Sequence, residues 1–160
     1  MTMQTSDYVE YKNKQFILVD IELGTKLYKE DNNEKSDFTI NTSSWRGYEA
    51  KYKINKNNKI MIKRKLGQYN ELNYTGKIII MYSNKKWVNS NFIETILIDG
   101  KEAYELEFKE GELINENNLE VAISEYQNNT SEKYDKTIVV NILQKYLTGK
   151  YDLSKSYKWR

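Results

Sequence analysis

Apolar residues recur at every second position through much of the first two-thirds of the chain, and at helical spacing only near its end. The clearest alternation is Tyr48-Glu49-Ala50-Lys51-Tyr52-Lys53-Ile54. Tyr48, Ala50, Tyr52 and Ile54 share one face and Glu49, Lys51 and Lys53 the other, the pattern of a half-buried antiparallel strand. Asn55-Lys56-Asn57-Asn58 follows, then a second run from Lys59 to Leu66. Asparagine accepts the left-handed backbone of tight turns, so the two runs are predicted to form a hairpin. Tyr8 to Lys12 and Gln15 to Ile21 are predicted to form another around Asn13-Lys14. Tyr74 to Tyr82 places Tyr74, Gly76, Ile78, Ile80 and Tyr82 on one face, while Ile79 and Met81 imply cover on the other as well. Phe92 to Asp99 and Glu102 to Lys109 are predicted to pair through Asp99-Gly100. The second run would bury Tyr104, Leu106 and Phe108 and expose Glu105 and Glu107. Gly111 closes the strand series, and Asp31 to Asp37 and Gly67 to Asn73 read as polar connections.

The period then changes. Leu119, Ala122, Ile123 and Tyr126 recur at helical spacing after Asn117 and Asn118 as caps, in a segment short enough to form a strand instead. Tyr134, Ile138, Ile142, Leu143, Tyr146 and Leu147 form an amphipathic stripe. Thr130 or Ser131 could cap its start, and Gly149 fits its end. The expected fold class is α+β, a largely antiparallel, curved sheet of about seven or eight strands with one or two C-terminal helices. One domain is expected over residues 1–160, β-rich over 8–114 and helical over 117–148, with a basic tail over 149–160. A sheet of this size must curve or be covered, because its edge groups otherwise stay unpaired.

Composition removes several kinds of chemistry. The chain has no histidine and no cysteine. Zinc chemistry, disulfides and Ser-His or Cys-His nucleophiles are therefore excluded, and neither metal nor cofactor is expected. No Gly-rich phosphate loop or Asp-x-Asp pattern is present. Glu94, Glu105 and Glu107 could form a carboxylate cluster of the kind glycoside hydrolysis needs. A solvated strand face explains Glu105 and Glu107 more simply, so an enzyme is not expected. The apolar runs fall far short of the roughly 20 residues that span a bilayer. Met1 to Asp7 are polar, so the expected location is cytoplasmic.

Charge is balanced overall at +2 but unevenly distributed. Residues 51–66 hold Lys51, Lys53, Lys56, Lys59, Lys63, Arg64 and Lys65 with no acid. Residues 94–125 hold ten acids against Lys101 and Lys109. Neighbouring strands of opposite charge could simply pair across a sheet. Alternatively, such asymmetry steers a charged partner. Two surfaces follow. The acidic one comprises Glu102, Glu105, Glu107, Glu110, Glu112, Glu116 and Glu120, with Trp45 and Arg46 as interface residues. The basic one comprises Lys51, Lys53, Lys63, Arg64 and Lys65, with Tyr52 available for stacking on nucleic acid. The tryptophans Trp45, Trp87 and Trp159 could instead form a sugar platform, although such residues equally suit ordinary packing.

One segment carries a resemblance. Ser44-Trp45-Arg46-Gly47-Tyr48-Glu49-Ala50-Lys51-Tyr52-Lys53-Ile54 resembles the central segment of a group of small, uncharacterised bacterial β-rich proteins. In that group an aromatic-Thr-Gly segment follows, then a closing strand ending in acidic-Gly. Tyr74-Thr75-Gly76-Lys77-Ile78 and Leu106-Glu107-Phe108-Lys109-Glu110-Gly111 match those parts, so the resemblance covers residues 8–114. The chain departs from the group after Tyr82, where Gly- and His-rich sequence is missing, and its C-terminal helices are additional. By analogy, such proteins are similar in size and style to immunity proteins of bacterial toxin systems. The expected function is a non-catalytic protein-binding domain, in its specific form an immunity-type inhibitor with a toxin domain as cognate partner. The alternative is a nucleic-acid-binding or regulatory domain using the hairpin 51–66.

Overall fold

The computed structural model describes residues 8–19, 50–64, 67–84, 93–129, 135–149, 151 and 153. Among them run β1 (Tyr8–Tyr11), β2 (Lys14–Val19), β3 (Ala50–Ile54), β4 (Ile60–Arg64), β5 (Asn70–Glu71) and β6 (Gly76–Tyr82). There follow α1 (Thr95–Asp99), β7 (Glu102–Lys109), β8 (Glu112–Asn118), α2 (Glu120–Asn129) and α3 (Lys136–Tyr146). The strands form one eight-stranded sheet in the order β5-β4-β3-β1-β2-β6-β7-β8. The α+β class, the mostly antiparallel sheet and two C-terminal helices are as the sequence predicts. The exception to antiparallel pairing is β1 beside β3, where Val9 faces Tyr52 in parallel register.

Alternation along the strands produces two cores, one on each face. The concave face gathers Val9, Tyr11, Phe16, Leu18, Tyr52, Ile54, Ile60, Ile62, Tyr74, Ile78, Ile80, Tyr104, Leu106 and Phe108. Aromatic rings meet edge to face there, as Tyr11 does with Tyr104 at 5.7 Å. Among the described residues the convex face is covered only over β2, β6 and β7. Val19, Ile79, Met81 and Ala103 lie there beneath Ile96, Leu119, Ile123, Val139, Ile142 and Leu143 of the helical layer. Each fully buried aliphatic or aromatic side chain contributes about 1.5–3 kcal/mol, so both cores stabilise the sheet substantially.

The sheet curls far enough for its first and last thirds to touch. Leu113 N–H donates to the Asn58 carbonyl at 2.7 Å, and Ile60 N–H donates to the Gly111 carbonyl at 2.9 Å. Gly111 N–H in turn donates to the Tyr74 carbonyl. The start of β8 thus ties to the start of β4, while the rest of β8 has no further strand partner among the described residues.

Six local expectations need correction: the polar connection over Gly67 to Asn73 contains the short strand β5, α3 is capped at Leu147 and not at Gly149, and four more differ as follows. Residues around Asp99-Gly100 form no strand hairpin, because Ile93, Ile96 and Leu97 are all buried at helical spacing and α1 forms. The short apolar run fits either period, and tertiary burial selects the helix. Chain after Gly111 does not leave the sheet but continues as β8, whose sequence ELINENN has neither alternation nor strong strand propensity. The first hairpin turns at Lys12-Asn13, both with positive φ, one residue earlier than expected. Helix α3 starts later than Thr130 or Ser131 would place it, because Asp135 caps it by accepting from Thr137 N–H and Ile138 N–H. The segment 117–127 resolves as strand, then helix: Asn118 Oδ1 accepts from Glu120 N–H at 2.8 Å and starts α2. Among the described residues no helix is long and apolar enough to cross a membrane.

The tie at Gly111 is testable. Its φ is +83°, and a Cβ added there would lie 2.5 Å from the Leu72 carbonyl oxygen. Gly111→Ala is expected to cost about 2–4 kcal/mol, from the left-handed backbone and the steric conflict together. Urea unfolding measures it, and a cost under about 0.5 kcal/mol, the usual range of surface substitutions, would show that β8 does not depend on this tie.

Candidate functional site

The acidic stretch does not form a free acidic surface. Lys14 Nζ donates to Glu102 at 2.6 Å, and Lys12 Nζ donates to Glu116 at 2.9 Å. Lys59 lies 3.5 Å from Glu112. The Lys14 ammonium holds the Glu102 carboxyl below its ordinary pKa. Burial acts to raise Glu116, but the hydrogen bonds from Tyr11 and Lys12 outweigh it and hold that carboxyl low. Burial and the neighbouring Glu102 push the Tyr104 hydroxyl up to about 12. Glu120 is exposed in the first turn of α2, where a negative charge suits the helix dipole. Glu110 is exposed in the turn between β7 and β8, and Glu107 is half-buried. The acids of β7 and β8 therefore serve largely to bind the β1–β2 turn and the start of β4 to the far side of the sheet.

Glu105 departs furthest from expectation. It was predicted on a solvated strand face, yet it is 2% exposed. Its face of β7 is the helix-covered one. Asn117 Nδ2, Thr148 N–H and Thr148 Oγ1 donate to Oε1 at 2.8–3.0 Å. Gly149 N–H donates to Oε2 at 3.0 Å and the Tyr151 hydroxyl at 2.5 Å. Burial acts to raise this carboxyl, but the bonds from Tyr151, Asn117 and Thr148 prevail and hold it below its ordinary pKa. Glu105 is thus an anchor for the chain leaving α3 and is not available to a partner. Nothing in the alternating pattern signals this, because every donor but Asn117 comes from residues more than 40 positions later.

The basic hairpin is arranged differently. Tyr52 and Ile54 point into the concave core, so Tyr52 is not a stacking platform. Lys51, Lys53 and Lys63 lie on the convex face, over the part of the sheet that no described helix covers. Lys51 stands directly opposite Lys63 in the antiparallel β3–β4 ladder. Like charges in that position repel. Among the described residues neither lysine has an ion-pair partner. Lys53 approaches Glu10 at 3.5 Å. The Lys53 and Lys63 ammonium groups lie 5.8 and 5.9 Å from the ring centroid of Tyr69, which is 37% exposed. Tyr69 was missed by sequence reading, because it sits in a polar connection with no periodicity. Glu10 and Glu71 stand at the rim of the patch. Of Arg64 only the backbone is described, and Trp45, Arg46 and Lys65 lie outside the described residues, as do Trp87 and Trp159.

Beside this face, at the mouth of the concave core, lies a polar cleft of about 820 Å³. The β1–β2 turn, the β3–β4 turn and β8 enclose it. Asn55 shapes the β3–β4 turn, its Oδ1 accepting from Asn57 N–H and Lys59 N–H. Among the described residues no cluster of acidic side chains is arranged to hold a metal ion. No protein-family model, curated protein or solved structure matches the chain.

Two outcomes follow from this geometry. A carboxyl whose folded pKa is depressed contributes stability above its unfolded pKa, and that contribution is lost as pH falls through the folded value. Glu105→Gln is therefore expected to cost about 1–3 kcal/mol at neutral pH. The difference from wild type should shrink as pH falls below the ordinary carboxylate range near 4.5. Urea unfolding across pH checks this, and a pH-independent difference would contradict it. Lys63→Glu places an acid opposite Lys51 and is expected to raise stability by about 0.2–1 kcal/mol. A loss of stability in thermal unfolding would show that the lysine pair is not a site of repulsion.

Proposed function

We propose that the protein is a non-catalytic binding domain that receives an acidic protein surface on the convex face of β1, β3 and β4. The observation that carries this reading is the Lys51–Lys63 opposition, which has no ion-pair partner among the described residues and lies where no described helix covers the sheet. A cross-strand repulsion is a cost to the folded state. An acidic group docking between the two ammonium groups would relieve it. Lys53 and Tyr69 extend the same patch, and tyrosine beside cations is a frequent composition at interface centres. The carboxylates of Glu10 and Glu71 at the rim favour a protein over a nucleic acid. A phosphate backbone carries one sign of charge and would be repelled there, whereas a protein surface can match both signs.

The specific form of the reading is an immunity-type inhibitor that covers a toxin domain. Its support is the resemblance over residues 8–114, taken as analogy. The acidic stretch, with Glu105 buried and Glu102, Glu112 and Glu116 paired internally, no longer recommends itself as the inhibitory surface. Nucleic acid on the same lysine face is the second reading, favoured by the exposed ring of Tyr69 between lysines.

Affinity capture from a bacterial lysate, with and without nuclease treatment, separates the two. The expected result is one stoichiometric, nuclease-resistant protein. Its affinity should fall at least about tenfold, or 1.4 kcal/mol, for Lys51→Glu with Lys63→Glu. Undiminished capture by that double variant would remove the face from consideration. Binding that vanishes with nuclease and weakens steeply with salt would replace the protein partner by nucleic acid.

A further inference from the structure

A second binding surface lies at the cleft, and it does not rest on the lysine-face reading. Strand β8 pairs with β7 along one side, from Tyr104–Asn118 to Lys109–Glu112. On its other side only its beginning is engaged, through Leu113 N–H to the Asn58 carbonyl and the Lys59–Glu112 bridge. From Ile114 to Asn118 no described strand lies alongside. Among the described residues the backbone groups on that side form an open edge, which is a template for another strand. Short polar edges are usually blunted by lysine or proline. The sequence of β8 contains neither, although it carries Glu112, Glu116 and a register shift against β7, and the apolar Ile114 within it is 55% exposed.

The cleft has room for the missing strand. It borders β8 from Leu113 to Glu116 along a volume of about 820 Å³, and strand residues advance about 3.3 Å each, so a short extended segment fits beside that part of the edge. Its opposite wall consists of the two turns and includes Asn13, Asn55 and Asn58. Charge on the walls favours one sign of occupant. Glu116 is held by Tyr11 and Lys12, and Glu10 lies near Lys53. Lys56, exposed in the β3–β4 turn, has no ion-pair partner among the described residues. It leaves an uncompensated positive charge on the rim.

We propose that β8 and the cleft take an extended, acidic peptide segment of a partner protein by strand addition. Backbone hydrogen bonds to Ile114–Asn118 supply the affinity, and Lys56 selects an acidic side chain. The test uses the full chain and three capped pentapeptides. One alternates glutamate and valine, one alternates lysine and valine, and one is the glutamate peptide with N-methylated backbone amides. Amide hydrogen exchange of Ile114 to Asn118 is followed by NMR. With the glutamate peptide at millimolar concentration, exchange there is expected to slow about tenfold, and Lys56→Glu to weaken the peptide by about tenfold. The N-methylated peptide should give no slowing, since it cannot form the ladder. No slowing with the glutamate peptide overturns the proposal, as does equal slowing by its N-methylated form. Equal slowing by the lysine peptide overturns the acidic preference.

Discussion

The return of β8 to β4 is the contact on which the rest of the architecture depends. The hydrogen bonds between Ile60 and Gly111 and between Leu113 and Asn58 hold an eight-stranded sheet in a curl. Curling closes the concave face around its own side chains, so that face needs no helix. The convex face is left to be covered from outside, and the described helices reach only β2, β6 and β7. The same contact thereby creates three surfaces: a helix-covered half that stabilises, a half carrying lysines that no described helix covers, and a cleft where β8 and the turns diverge.

Charge follows this division. The acids of β7 and β8 meet the lysines of the β1–β2 turn and β4, pulling distant parts of the chain together. Each exposed pair is worth little alone, about 0–1 kcal/mol. Lys12 with Glu116 joins the β1–β2 turn to β8, Lys59 with Glu112 joins the start of β4 to β8, and Lys14 with Glu102 joins β2 to β7 across the end of β6. Glu105 takes the stronger role of a buried carboxylate satisfied wholly by hydrogen bonds. Lys51 and Lys63 have no ion-pair partner among the described residues, and they face each other. The uneven charge of the sequence is thus resolved internally at Glu102, Glu105, Glu112 and Glu116 and, among the described residues, left open at Lys51 and Lys63.

Strands with strict alternation were legible from sequence: β3, β4, β6 and β7 lie where alternation places them, and Ile79 and Met81 are covered as their apolar character demands. The stripe through Ile142 and Leu143 marks α3 for the same reason. Where local signals were weak or double, tertiary context decided. The Ile93–Leu97 run satisfies both periods, and β8 satisfies neither. Of the candidate site, Lys51, Lys53 and Lys63 were identified by charge and period alone. Their mutual opposition depends on register, Tyr69 on a loop's path, and the burial of Glu105 on donors far along the chain. None of these is encoded in local pattern.

The central claim is that binding uses the lysine half of the convex face. Residue-by-residue lysine acetylation rates, read by mass spectrometry with and without the captured partner, test it most directly. The account predicts that Lys51, Lys53 and Lys63 are slowed in the complex while Lys136 and Lys145 on α3 react as in the free protein. Slowing confined to Lys136 and Lys145, with Lys51 and Lys63 unchanged, would contradict it and move the interface to the helical layer.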